Sequence, residues 1–157
     1  MIPPIQIWTR AAWHPAFTCG GWAYVRSGGE LSGKAGGERN TSLQRMVLAG
    51  LTASLKDLRP GPVAFDMGDR ATAQVLAKIL SGAPLTDAER PAEDLDLWAQ
   101  LTTGLKGRSV TFKLGALTAG GPAAFAQAWA DLALEKAKAA GAFTAAIPKP
   151  NLARIKA

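Results

Sequence analysis

Residues 41–67 read TSLQRMVLAGLTASLKDLRPGPVAFDM, and this stretch decides the fold class. Thr41-Ser42-Leu43-Gln44 has the spacing of a capping box, in which a hydroxyl and an amide satisfy the first backbone N–H groups of a helix. Leu48, Leu51, Leu55 and Leu58 then recur at helical spacing, predicting a helix over 41–58. Pro60-Gly61-Pro62 must end it, since proline cannot continue the ladder. Residues 63–67 follow as a short buried strand. Upstream, Ile5, Ile7 and Thr9 alternate with Gln6 and Trp8, which predicts a first strand. Segments 21–26 and 30–35 flank Ser27-Gly28-Gly29, a hairpin turn in which glycine tolerates positive φ. Three strands in a meander, then a crossover helix and a parallel strand, imply a mixed sheet with helices on its faces.

Downstream, Asp69 is placed to cap a second helix with Thr72, Val75, Leu76, Ile79 and Leu80 on one side and Gly82 as its stop. A polar connection over 85–91 leads to a third helix over 93–106 carrying Leu97, Trp98, Leu101 and Leu105, closed by Gly107. Val110, Phe112 and Leu114 alternate as a fifth strand. Gly120-Gly121-Pro122 opens a last helix with Phe125, Trp129, Leu132 and Ala133 on its apolar face, and Gly141 ends it. Pro148 and Pro150 predict an extended basic tail over 143–157, outside a domain spanning 1–142. The order is βββαβααβα, an α/β class with a five-stranded mixed sheet and helices on both faces.

The chain has 157 residues, 48% hydrophobic and 19% charged, enough for one core and unlike a disordered chain. The uncharged stretch 11–25 is too short and too interrupted by glycine and proline to span a bilayer. No basic, then apolar, leader opens the sequence. Cys19 is the only cysteine, so no internal disulfide forms, and a reducing cytoplasm is the expected compartment. The net charge of +6 is uneven. Lys136, Lys138, Lys149, Arg154 and Lys156 crowd the C-terminal end, whereas 85–96 holds Asp87, Glu89, Glu93, Asp94 and Asp96 against Arg90 alone. His14 is the only histidine and reads as loop surface; with one cysteine beside it, the usual zinc sites are excluded. No phosphate-loop pattern is present, so the glycine pairs at 20–21, 28–29, 36–37 and 120–121 read as turns, and no cofactor is implied.

Several local strings, in order, resemble type 1 ribonuclease H. Ile5-Gln6-Ile7-Trp8-Thr9-Arg10-Ala11-Ala12 resembles that family's first strand ending in Thr-Asp-Gly-Ser. Pro15 through Gly20-Gly21-Trp22 is similar to its Gly/Pro-rich entry to strand two. Gln44-Arg45-Met46-Val47-Leu48 resembles Asn-Arg-Met-Glu-Leu, Asp94-Leu95-Asp96-Leu97-Trp98 resembles Val-Asp-Leu-Trp, and Ala130-Asp131-Leu132-Ala133 resembles Asp-Glu-Leu-Ala. The likeness runs over 5–141 and implies a ribonuclease H-like fold with strand order 3-2-1-4-5, only strand two being antiparallel to the rest.

The family cuts the RNA strand of an RNA–DNA hybrid with two divalent ions held by four carboxylates. Carried over residue by residue, those carboxylates fall on Arg10, Val47, Gly68 (or, with a small insertion, Asp66) and Ala130. Asp66, Asp69 and Asp131 are the acids left nearby. The loop that carries a histidine in the family, 115–120 here, has none. Hard cations need several oxygens, and a permanent arginine cation repels them, by about 4 kcal/mol per unit-charge pair at ~4 Å and an effective dielectric of 20. No metal is therefore expected. Arg10 should instead grip Asp66, or failing that Asp69 or Asp131, with its planar fork. The family's basic, tryptophan-rich insertion is replaced by the short acidic 85–96.

Three functions compete. The leading one is a non-catalytic domain that keeps some affinity for an RNA–DNA hybrid or duplex through Arg10, Trp13, Arg39, Asn40, Gln44 and Arg45, with Trp13 as the base-stacking candidate. The second is a protein-interaction or scaffold domain that docks through the acidic connection and the tail. The third is a nuclease using displaced carboxylates at Asp66, Asp69 and Asp131.

Overall fold

The computed structural model describes residues 3–155. Strands β1 (Ile5–His14), β2 (Cys19–Arg26) and β3 (Ser32–Glu38) form the meander; α1 (Leu43–Ser54) leads to β4 (Val63–Asp66). Then come α2 (Arg70–Ser81), α3 (Leu95–Leu105), β5 (Val110–Lys113), α4 (Pro122–Ala140), β6 (Phe143–Ala146) and α5 (Lys149–Leu152). Among the described residues no helix is long and apolar enough to cross a membrane.

The expected order 3-2-1-4-5 lies within the sheet β5-β4-β1-β2-β3-β6. β1 pairs antiparallel with β2 and parallel with β4, and β4 pairs parallel with β5. The five-stranded expectation is corrected by β6, which pairs antiparallel with β3, so β2 is not the only reversed strand. Residues 143–155 are therefore not an extended tail. Without β6 the outer edge of β3 would expose unpaired backbone groups, and Ile147 and Leu152 complete the core beneath it, 4% exposed each. Removing the chain from Phe143 onward would open that core rather than trim a loose end.

Two cores flank the sheet. Ile5, Ile7, Phe65 and Met67 face Leu48, Leu51, Leu76 and Leu101 of the α1–α3 layer. On the other face, Ala23, Val25 and Ala35 meet Ala130 and Ala133 of α4. Gly20, Gly21, Gly36 and Gly37 lie inside β2 and β3 rather than in turns. Gly21 and Gly37 give way to the close approach of α4, whereas Gly20 faces Met46 of α1 and Gly36 faces the Trp22 ring. A Cβ on Gly37 would sit 2.8 Å from the Ala133 carbonyl oxygen, and one on Gly21 would sit 2.8 Å from the Ala133 Cβ.

Local signals resolve with small shifts. Ser42, not Thr41, caps α1 by accepting from the Arg45 N–H at 3.0 Å. Asp69 caps α2 through the Thr72 N–H at 3.2 Å, and Gly82 ends that helix in the left-handed region at φ 75°.

Candidate functional site

The C-terminal end of β4 lies beside the middle of β1, with Trp8 opposite Asp66. Side chains alternate along a strand, so Arg10 projects on the same side as Trp8 and reaches Asp66. Its Nη2 donates to Asp66 Oδ1 at 2.7 Å and to the Gly115 carbonyl at 3.0 Å. Its Nη1 donates to the carbonyls of Thr9 at 2.8 Å and Asp66 at 2.9 Å. Four of the five guanidinium N–H groups are thus engaged. The fork does not clasp the carboxylate with both arms; it divides between one carboxylate oxygen and three carbonyls. Both partners are buried, Arg10 6% exposed and Asp66 8%.

Two glycines make room for this pair. A Cβ on Gly68 would lie 3.4 Å from Arg10 Cδ, so the Gly68 position faces Arg10, two residues beyond Asp66 on the same side. A Cβ on Gly115 would collide with the Asp66 carboxylate, 2.7 Å from its Cγ. Val47, Leu43 and Gln127 border the small cavity of about 150 Å³ beside the guanidinium.

The other acids do not converge there. Asp69 caps α2, accepting from both the backbone N–H and the hydroxyl of Thr72. Asp131 is exposed and takes a hydrogen bond from Gln127 Nε2 at 3.1 Å. Ala130 is buried against β2 and does not border the cavity. Among the described residues no group of three or more His, Cys, Asp or Glu side chains could hold a metal ion. The residues present therefore do not fit the paired divalent ions that the resemblance implies, and a guanidinium fills the space between β1 and β4.

The residues expected to meet nucleic acid are largely occupied within the chain. Arg39 donates to the carbonyls of Ala137 (Nε, 3.1 Å) and Lys138 (Nη2, 3.0 Å), closing the C-terminal end of α4. Arg45 lies among Asp94 at 3.1 Å, Asp96 at 3.2 Å and Glu38 at 3.5 Å. Hydrogen bonds to Asp96 and Asp94 push the Arg45 pKa further up, and the same contact with Arg45 lowers that of Asp96. Trp13 is 37% exposed and donates through Nε1 to the Thr41 carbonyl at 3.0 Å. Asn40 is exposed at φ 52°, and Gln44 is exposed on the first turn of α1.

Sequence reasoning missed Gly115 and Gln127. Gln127 Nε2 also donates to the Ala11 carbonyl at 3.2 Å, so the α4 residue at the site stands one turn before Asp131. The stripe Ala123, Ala126, Ala130, Ala133 and Ala137 was the available signal: it marks the buried face and leaves Gln127 beside it.

No family model and no curated protein matches this chain. Solved structures do. LC9-RNase H1, a type 1 RNase H with the type 2 active-site motif, aligns over 98% of this chain and 82% of its own, with 13% identity and a TM-score of 0.62. The N-terminal RNase H domain of rv2228c from Mycobacterium tuberculosis, solved as a fusion with maltose binding protein, aligns over 87% and 96%, with 15% identity and a TM-score of 0.63. The foamy viral protease-reverse transcriptase in complex with RNA/DNA hybrid aligns over 85% of this chain at 14% identity and a TM-score of 0.64. This chain spans only 21% of that viral one. The fold is ribonuclease H-like.

Proposed function

We propose that this chain is a non-catalytic ribonuclease H-like domain that acts by binding. The observation that carries the reading is the Arg10–Asp66 ion pair at 2.7 Å. A permanent cation, hydrogen-bonded on four sides, occupies the place where metal-bridging carboxylates would have to meet. The nuclease alternative loses support because Asp69 is a helix cap and Asp131 is paired with Gln127. Purified protein should leave an RNA–DNA hybrid intact in magnesium or manganese. Metal-dependent cleavage that disappears on Asp66→Asn would overturn the proposal.

Modest nucleic-acid binding belongs to the same reading. It is supported by the viral neighbour's complex with a hybrid, by exposed Trp13, and by two cations that sequence reasoning passed over. Arg70 opens α2, and Lys113 stands opposite Asp66 at the end of β5. Both are exposed and make no ion pair among the described residues. They replace Arg10, Arg39 and Arg45 as the basic contacts. Hybrid binding should weaken steeply with salt and fall further in Lys113→Glu. A gel shift indifferent to both would remove nucleic acid from the reading while leaving the non-catalytic assignment intact.

A further inference from the structure

The sheet ends in two edge strands, β5 and β6. β5 carries Lys113, and a charge on an edge discourages further pairing. β6 reads Phe143-Thr144-Ala145-Ala146, with neither charge nor proline. Its register fixes which backbone groups are spent. The Ile147 N–H donates to the Gly33 carbonyl at 2.9 Å, Ala35 lies opposite Ala145, and Gly37 lies opposite Phe143. Antiparallel pairing alternates, so residues 143, 145 and 147 turn their N–H and C=O groups toward β3. Those of Thr144 and Ala146 turn outward, and among the described residues no strand lies beyond them. Thr144, Ala145 and Ala146 stay exposed because the chain then turns under the sheet, where Ile147 and Leu152 join the α4 core.

A groove runs along the same edge. Two hollows of about 410 and 490 Å³ share Trp22, Ala49, Leu97 and Thr144, so they join between α1, α3 and β6. Lys34, Lys56 and Arg45 line it against Glu38 alone. Arg45 is spent on Glu38, Asp94 and Asp96. Lys34 and Lys56 make no ion pair among the described residues. On the other side of β6, Lys136 Nζ lies 4.6 Å from the centre of the Phe143 ring, and it too makes no ion pair among those residues.

We propose that an extended, acidic segment of another protein adds to β6 as a further strand of the sheet. Its main chain pairs with the outward N–H and C=O groups of Thr144 and Ala146. Its apolar side chains lie along Trp22 and Leu97, and its carboxylates meet Lys34, Lys56 and Lys136. Strand addition needs donors and acceptors in alternation, which a peptide backbone supplies. A phosphate backbone offers acceptors alone, and leaves the outward carbonyls unmatched. A second copy of this chain would bring the same lysines together, and like charges repel. Such an addition is independent of hybrid binding, whose Lys113 stands on β5 at the opposite edge of the sheet.

The test follows amide hydrogen exchange in the full chain labelled with nitrogen-15. In the free protein the Ala145 and Ile147 amides should be protected and those of Thr144 and Ala146 open. Four probes are titrated: a short peptide alternating valine with glutamate, the same peptide N-methylated throughout, its lysine counterpart, and an oligothymidylate. The glutamate peptide should slow exchange at Thr144 and Ala146 saturably, and the other three should not. N-methylation keeps the side chains and charges but removes the main-chain donors, so it separates strand addition from simple attraction. Lys56→Glu, at an exposed site, should weaken binding of the glutamate peptide about fivefold, as reversing one solvated charge does. Thr144 and Ala146 amides that ignore the glutamate peptide, or that slow equally with any of the other three probes, overturn the proposal. So does protection already present in the free protein together with a dimer in sedimentation, which would make a second copy the occupant. Gel shift of a hybrid duplex reads the opposite edge, so either reading can fail alone.

Discussion

Two arginines of this domain sit among oxygens in opposite ways. Arg10 is buried and meets one carboxylate and three carbonyls; Arg45 is about one-third exposed and meets three carboxylates. Counting charges alone would make Arg45 the more important. Burial reverses the order. Around Arg45 water screens each attraction, and long side chains lose entropy when held. Around Arg10 water is excluded, so taking away either partner strands the other without solvent or counter-charge. The difference teaches that Arg10 is a structural joint between β1, β4 and the loop that follows β5, whereas the Arg45 cluster is a solvated surface feature.

The largest expected effect is on Arg10. Arg10→Ala should destabilise the domain by roughly 3–5 kcal/mol, the usual cost of leaving a buried charge unpaired; urea unfolding checks it. Replacing both partners with apolar residues, Arg10→Met with Asp66→Leu, should cost clearly less than the single change. Equal losses would mean the pair contributes packing rather than charge compensation.

Next comes Gly115→Ala. A methyl group there meets the Asp66 carboxylate, so the loop or the ion pair must shift, with a loss of about 1–3 kcal/mol as in other overpacked sites. A neutral result would show that the loop after β5 gives way without disturbing Asp66.

Arg45→Ala should cost no more than about 1 kcal/mol, and the cost should shrink in concentrated salt because exposed charges are screened. If Arg45→Ala matched Arg10→Ala, the contrast drawn from burial would collapse.

The smallest effect is on acid stability. Lys78 holds the Glu89 pKa down to about 2 from 4.5, chiefly through its hydrogen bond, and Arg45 lowers that of Asp96. Both folded values lie below the unfolded ones. The stability they lend is therefore fully present above about pH 4.5 and is lost as pH falls toward 2. Lys78→Met should lower stability slightly at neutral pH, flatten the profile across that window and leave it unchanged below about pH 2, as urea unfolding at several pH values would read.

Much of the architecture was legible because its signals are local. The leucine spacing that marks α1, which ends at Ser54 rather than at Leu58, the Asp69 cap and the Gly82 stop each act within a few residues. The Arg10–Asp66 pair could be foreseen once strands one and four were placed side by side, since strand alternation then brings both to one side. The strand β6 could not, because Phe143-Thr144-Ala145-Ala146 has little alternation and is mostly exposed. Its reason for pairing is the open edge of β3, which lies far away in sequence.

By itself, the sequence determined the α/β order of elements as far as α4, the absence of acidic side chains at positions 10, 47, 68 and 130, and the acidic character of the connection before α3. Those follow from side-chain chemistry and short-range spacing. Only the tertiary structure decided that Arg39 and Arg45 are taken up by α4 carbonyls and by acids, that Gly21 and Gly37 are a floor for α4, and that the Trp98 N–H is buried unmatched. Each of these depends on groups brought together across long loops of chain, and no local pattern carries the position of a partner that distant.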